Sequence, residues 1–331
     1  VTNNGIISNI TFDNLSIKSD GAKVGLIQTN NGNLSNITVN LNEFSLSATN
    51  SVTVGIIAAT NAGTVKNARV NGNSVKLEKV QATSLVFGGI VGNNSGTVEL
   101  CSLNVGISIN KDIENYTNRT DQNNNYKTNL VNVALGGIVG INTKNVKYSN
   151  ITDNVALVAN SVDEISGYYD DFGNRITSTA SIAYVGGIVA INGQISENNG
   201  FGKISVTNGK ISIEINISGN GGTIEQCYTK INSDNIINNT LTGDNSYNSS
   251  SKYEIIAGST LFQTTSYAGG ITAYGGIIKN CVNEKNVGAT SRWLRTSDEY
   301  GKELVDLPKD ESTNNTALGY YITTDYAQYA N

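Results

Sequence analysis

The stretch FGGIVGNNSGTVELCSLNV, Phe87–Val105, decides the fold, because the chain uses the same phrase several times. LGGIVGINTKNVKYSNITDNV begins at Leu135, VGGIVAINGQISENNGFGKI at Val185 and AGGITAYGGIIKNCVNEKNV at Ala268. Two versions poorer in glycine come earlier, VGLIQTNNGNLSNITVNLNEF from Val24 and VGIIAATNAGTVKNARVNGNSV from Val54. A glycine-rich dinucleotide loop occurs once, between one strand and one helix. A phrase that recurs is a structural module.

The second half of the phrase aligns at Gly5-Ile6-Ile7, Gly32-Asn33-Leu34, Gly63-Thr64-Val65, Gly96-Thr97-Val98, Lys144-Asn145-Val146, Gly193-Gln194-Ile195, Gly222-Thr223-Ile224 and Gly276-Ile277-Ile278. Successive spacings are 27, 31, 33, 48, 49, 29 and 54 residues. The short values suit one coil of a β-solenoid and the long ones a coil plus an insertion. The third residue of each triplet is apolar. Three positions on lies a second column: Ile10, Ile37, Ala68, Cys101, Ser149, Asn198, Cys227 and Cys281. Two further on come Phe12, Val39, Val70, Leu103 and Ile151. A step of two is strand period; a step of three is not, so the chain bends there. Asn9, Asn36, Asn67 and Asn280 stand just before the second column. Asn tolerates the left-handed backbone that such a corner needs. Asn198 and Gly200 break the columns, which predicts an irregular coil near residue 195.

The pattern predicts an all-β chain, a right-handed parallel β-helix of about eight coils, since parallel strands with repeated crossovers wind right-handed. At about 4.8 Å per coil the rod is about 40 Å long. The coils occupy 1–290, with insertions near 110–130, 160–182 and 232–266, and 291–331 forms a C-terminal cap. In that cap Trp293 covers the last coil's open edge, and a short helix is expected near Asp298–Leu304. The double glycines Gly88-Gly89, Gly136-Gly137, Gly186-Gly187 and Gly269-Gly270 recur in register and predict close backbone approach.

Composition removes several functions. The chain has 331 residues, net charge −5, no Met and no His. Missing Met reads as a fragment or mature portion. An acidic chain lacks the basic stripe that nucleic acid needs. No apolar run reaches membrane-spanning length, so no membrane insertion is expected. Without imidazole, Ser-His-Asp and Cys-His mechanisms and His-bearing metal sites are excluded. The three Cys, Cys101, Cys227 and Cys281, fall in one apolar column and read as buried thiols; Cys227 and Cys281 sit in consecutive coils, where a bridge is the alternative. Carboxylate chemistry would have to come from Asp170 and Asp171 with Arg175, or from Asp298 and Glu299. Asp170 and Asp171 are loop neighbours, and loop carboxylates of this kind read as solvated charge, not as a pair placed across a glycosidic bond. No EF-hand spacing supports calcium there. No catalytic residue, metal or cofactor is therefore expected. Sequons such as Asn36-Ile37-Thr38 follow from composition.

The insertions leave the rod at a similar phase, so their aromatics share one side. These are Tyr116 and Tyr126; Tyr168, Tyr169 and Phe172; and Tyr247, Tyr253 and Phe262, set among Asn, Ser, Thr and Asp. A flat apolar ring with a hydroxyl, next to amides that donate and accept, suits sugar rings. The competing expectation is that these rings fold back over the rod's own wall.

The GGIVGxNxGTVxN phrase resembles the GLUG-type repeat of bacterial surface proteins over about residues 1–290. Size, β-helix and Tyr-bearing loops are also similar to the cellulose-binding domain of tāpirins, surface adhesins of cellulose-degrading bacteria. The resemblance implies a secreted, extracellular adhesin at a bacterial cell surface. It would be a monomer that binds insoluble plant polysaccharide, cellulose first, without turnover. The alternatives are a carbohydrate-active β-helix enzyme (lyase or hydrolase) and a passive stalk of a larger surface protein.

Overall fold

The computed structural model describes residues 1–77, 80, 82–109, 132–152, 155–162, 181–195, 203–207, 210–214, 217–218, 221–229, 254–260, 264–291, 294–296, 304–306, 315–316 and 322–325. All regular structure among them is β-strand, and most pairing is parallel.

One turn of the chain shows the plan. Ser84–Gly88 lies in a first sheet of seven strands, Val91–Asn94 in a second of seven, Thr97–Glu99 and Ser102–Asn104 in a third of twelve, and Ile107–Ile109 in a fourth of five. The chain then returns to the first sheet one rung further on, with Asn132–Gly136, Val139–Asn142, Asn145–Lys147, Asn150–Ile151 and Leu157–Val162. Each strand pairs in register with its counterpart, as in Phe87 opposite Leu135 and Val98 opposite Val146.

The apolar columns read from the sequence stack as expected. Ile7, Leu34, Val65, Val98, Val146, Ile224 and Ile278 form one unbroken register. All but Ile7 are buried in one continuous core. Cys101, Cys227 and Cys281 are buried in that core as free thiols. At the double glycines the backbone passes so closely that a Cβ on Gly88 would lie 1.7 Å from the Val91 carbonyl oxygen, and one on Gly89 2.2 Å from that of Gly137. No side chain fits there, which fixes glycine at each crossing from the first sheet to the second.

The corner before the second column is left-handed in seven rungs of the third sheet: φ is 58° at Asn9, 54° at Asn36, 50° at Asn67, 55° at Leu100, 50° at Tyr148, 50° at Gln226 and 50° at Asn280. Four of these are the predicted Asn. Leu100, Tyr148 and Gln226 adopt the same conformation because the ladder holds them: their amides donate to Lys147, Glu225 and Lys279 carbonyls at 3.1, 3.0 and 2.9 Å.

A second asparagine column is buried. Asn3, Asn30, Asn61, Asn94, Asn142 and Asn192 end the second-sheet strands or follow them directly. Each Nδ2 donates to the Oδ1 of the next, at 2.7, 2.7, 2.8, 2.7 and 2.8 Å. The amides also turn inward to the loop that follows, as in Asn94 Nδ2 to the Gly96 carbonyl at 3.1 Å. A primary amide has the donors and acceptors to satisfy both directions at once.

Three expectations change. The phrase at Gly193-Gln194-Ile195 is no rung: Gln194–Ile195 pairs antiparallel with Ile217–Ser218, and Thr223–Glu225 sits directly on Asn145–Lys147. The intervening chain also forms an antiparallel hairpin, Lys203–Thr207 with Lys210–Glu214. The helix expected near Asp298–Leu304 meets a strand at its end, since Leu304–Asp306 pairs antiparallel with Leu294–Thr296; residues 298–303 lie outside the described residues. The fourth-sheet strand Glu254–Thr260 pairs with Leu157–Val162 and with Asn286–Ser291, so the ladder runs inside the range 232–266. Beyond 291, Asn315–Thr316 and Ile322–Asp325 pair with Thr264–Gly269 and Ile277–Lys279. Trp293 lies outside the described residues.

Candidate functional site

The loop aromatics Tyr116, Tyr126, Tyr168, Tyr169, Phe172, Tyr247, Tyr253 and Phe262 all lie outside the described residues, as do Asp170, Asp171, Arg175, Asp298 and Glu299. The described tyrosines fall into two groups with opposite fates.

Tyr184, Tyr267 and Tyr274 belong to the first and second sheets. Along Ser181–Gly186 the side chains alternate, so Val185 enters the main core while Ile182 and Tyr184 face the other way. There they form a second apolar layer with Val86, Ala134 and Ile191, against which Ile195 and Ile217 of the 194–218 excursion pack. Tyr184 is fully buried, stacked on Tyr267 at 4.9 Å and edge-on to Tyr274 at 6.1 Å. Burial pushes the Tyr184 phenol well above its ordinary range. These rings are used for packing.

Tyr148 and Tyr228 are exposed on the outward face of the third sheet. The left-handed corner at Tyr148 turns its side chain out of the apolar column that Ser149 enters. Tyr228 lies one rung on, in register with Asn150. Leu100 occupies the same corner one rung before Tyr148, and Val282 pairs with Tyr228 one rung after it. Their exposures are 47% for Leu100, 46% for Tyr148, 42% for Tyr228 and 45% for Val282. Among the described residues the only other large apolar side chains so exposed are Val1 and Ile6. The four therefore make a diagonal apolar strip across four rungs.

Polar columns border the strip. On one side the register runs Lys66, Glu99, Lys147, Glu225 and Lys279, alternating in sign. Lys66 bonds Glu99 at 2.5 Å and Lys147 bonds Glu225 at 2.9 Å. The hydrogen bond and charge of Glu225 raise the Lys147 ammonium pKa. These partly exposed pairs add little stability; they set opposite charges side by side along the border. On the other side Thr152 donates to Asn104 Oδ1 at 2.7 Å. The face is thus held by stacked strands, apolar along its middle and hydrogen-bonding at its edges.

No family model, curated protein or solved structure matches the chain. The site has to be read from its own chemistry. Among the described residues no group of three or more His, Cys, Asp or Glu stands close enough to hold a metal ion, and no helix is long and apolar enough to cross a membrane. Burial raises the Cys101 thiol pKa to about 12 and pushes Cys227 up as well, which holds both thiols protonated at neutral pH.

Sequence reasoning missed Tyr148 and Tyr228. The signal was present: Tyr148 stands where the aligned repeats carry Asn, immediately before a buried column, and a ring at a corner position has nowhere to go but out.

Proposed function

We propose that the chain is a right-handed parallel β-helix serving as a non-catalytic adhesin, outside a bacterial cell, that binds insoluble plant polysaccharide, with cellulose the favoured ligand. The cyclic return of the chain to four sheets in register supports the winding, and the near-universal hand of parallel crossovers supports its sense. The observation that carries the binding reading is the strip Leu100–Tyr148–Tyr228–Val282, exposed on a rigid face and bordered by amides, hydroxyls and neutralised charges.

Crystalline cellulose presents flat rows of glucose rings with apolar C–H faces and hydroxyl edges. A ring stacked on such a face contributes about 0.5–1.5 kcal/mol by analogy with aromatic pairs. Two tyrosines then supply about 1–3 kcal/mol, too little for tight binding alone. Several such contacts on one rigid body act together, so the reading calls on the loop aromatics Tyr168, Tyr169 and Phe172 as a second patch. Flat, shallow and multivalent contact suits an insoluble surface better than a soluble oligosaccharide.

The test compares adsorption to crystalline cellulose of the parent, a Tyr148→Ala/Tyr228→Ala variant and a Tyr168→Ala/Tyr169→Ala/Phe172→Ala variant. Loss of about 5- to 150-fold in the Tyr148/Tyr228 variant, with an unchanged melting temperature, is the expected result. Parental adsorption by both variants would overturn the binding reading.

A further inference from the structure

The left-handed corner column changes character along the ladder. Three successive rungs carry Asn9, Asn36 and Asn67 there, the next three carry Leu100, Tyr148 and Gln226, and Asn returns at Asn280. All seven have φ between 50° and 58°. For a residue other than Gly or Asn this conformation crowds Cβ against the following carbonyl oxygen and costs stability. Strain of that kind marks positions where the side chain serves something other than the fold. The three strained residues are consecutive, and two of them, Leu100 and Tyr148, belong to the exposed strip. Gln226 is the third.

Gln226 is exposed. It stands one rung after Tyr148 in the corner column and two residues before Tyr228 on its own rung, in the angle between the two exposed tyrosines. In the earlier rungs the outward amides are taken up by one another. Asn67 Nδ2 donates to Asn36 Oδ1 at 2.7 Å, Asn36 Nδ2 to Asn9 Oδ1 at 2.8 Å and Asn71 Nδ2 to Asn40 Oδ1 at 3.1 Å. Around the tyrosines this pairing stops. Among the described residues, three side-chain amides hydrogen-bond to no protein group: Gln226, Asn280 one rung on in the same column, and Asn150 beside Tyr228 in its row. Unused donors and acceptors therefore surround the exposed rings.

We infer that Gln226 is the specificity-determining residue of the strip: its amide reads hydroxyl groups of a neutral sugar ring stacked on Tyr148 or Tyr228, with Asn280 and Asn150 completing the polar contact. A primary amide donates and accepts at one site, as a hydroxyl does, whereas a carboxylate only accepts. Three amides and two phenol rings carry no charge, which suits an uncharged, hydroxyl-rich glycan. The inference rests on the polysaccharide reading above and narrows it to that class. The length of Gln is what keeps the amide free. Asn at this corner would repeat the Asn67-to-Asn36 bond with Asn280 and take both amides away from a ligand.

The experiment measures adsorption isotherms on crystalline cellulose and thermal melts for the parent, Gln226→Asn, Gln226→Ala and the Tyr148→Ala/Tyr228→Ala variant. Gln226→Asn relieves the corner and adds an amide–amide bond, so its melting temperature rises. Its adsorption nevertheless weakens by about 2- to 12-fold, the loss of one neutral hydrogen bond. Gln226→Ala keeps the strained corner, melts no higher than the parent and weakens adsorption over the same range. Binding then falls in both variants while stability moves differently, which a purely structural residue does not produce. Parental adsorption by either Gln226 variant, with loss in the tyrosine variant, would overturn the inference and leave the polysaccharide reading standing. Adsorption that follows the melting temperature across the two Gln226 variants would also overturn it. Parental adsorption by the tyrosine variant would remove the strip from the binding site, and the inference with it.

Discussion

Replacing Asn94 with Ala interrupts the buried asparagine column at its middle. The Asn94 amide donates to the Gly96 carbonyl at 3.1 Å, Asn142 Oδ1 at 2.7 Å and the Asn145 carbonyl at 3.2 Å. It accepts from Gly96 N–H at 3.2 Å and Asn61 Nδ2 at 2.8 Å. After truncation Asn61 Nδ2 keeps the Gly63 and Thr97 carbonyls, and Asn142 Oδ1 keeps the Lys144 N–H. Among the described residues the buried Gly96 N–H has no other acceptor to replace Asn94. One orphaned buried donor costs about 1–3 kcal/mol and each of the two lost amide–amide bonds about 0.5–1.5, so the variant is destabilised by about 2–6 kcal/mol. Asn94→Asp fares no better, because a carboxylate faces Asn142 Oδ1 with no donor. Asn31→Ala is the control: its amide bonds Asn4 Oδ1 at 2.9 Å on the exposed surface, and its removal changes stability by under about 0.5 kcal/mol. Equilibrium urea unfolding followed by far-ultraviolet circular dichroism measures all three. If Asn94→Ala unfolds with Asn31→Ala and the parent, the buried column is not holding the rungs.

Leu100→Asn removes a branched residue from a left-handed corner that costs about 1–2 kcal/mol, and a melting temperature above the parent's is expected; a lower one means that Leu100 packing outweighs the strain. Cys101 should resist disulfide exchange reagents in the native state and react at the rate of unfolding, whereas rapid labelling at neutral pH would contradict its burial. The same thiol gives a pH signature. With a folded pKa of about 12 against an ordinary 9.0, the unfolded state releases the proton first, so the contribution of Cys101 to stability is constant below pH 9 and falls as pH rises from 9 toward 12. A Cys101→Ala variant should lose that part of the slope. Cellulose adsorption should persist in high salt, since Lys66 and Lys147 are paired with Glu99 and Glu225 and the strip itself is uncharged, and steep salt dependence would point to an electrostatic ligand.

Much of this architecture is legible in the sequence because each rung meets the same physical demands at the same positions. Val98 and its column are apolar because they face the core, Gly88 is glycine because a carbonyl oxygen occupies the space of its Cβ, and Asn67 is Asn because the corner is left-handed. The false rung at Gly193-Gln194-Ile195 shows the limit. Its local phrase is right, but strand pairing is settled by the neighbour, and Asn192 Nδ2 reaches past the whole excursion to the Gly222 carbonyl at 2.9 Å. The burial of Asn94 and its column was hidden for a related reason. Asn reads as a turn residue, and only the stacked register brings one amide over the next. Tyr148 and Tyr228 escaped notice because a strand residue's facing depends on the corner beside it; once φ at Tyr148 is positive, the ring leaves the core row and joins Leu100 on the surface.

The most direct measurement of the central proposal incubates the protein with crystalline cellulose, xylan, chitin and pectin, and assays depletion from solution and soluble sugar release in the same samples. The proposal predicts strongest depletion on cellulose, no reducing or unsaturated product on any of the four, and reduced depletion when Tyr148 and Tyr228 are both Ala. Product release that disappears on changing Asp170 or Asp171 to Asn, or no depletion on any polysaccharide, would contradict it.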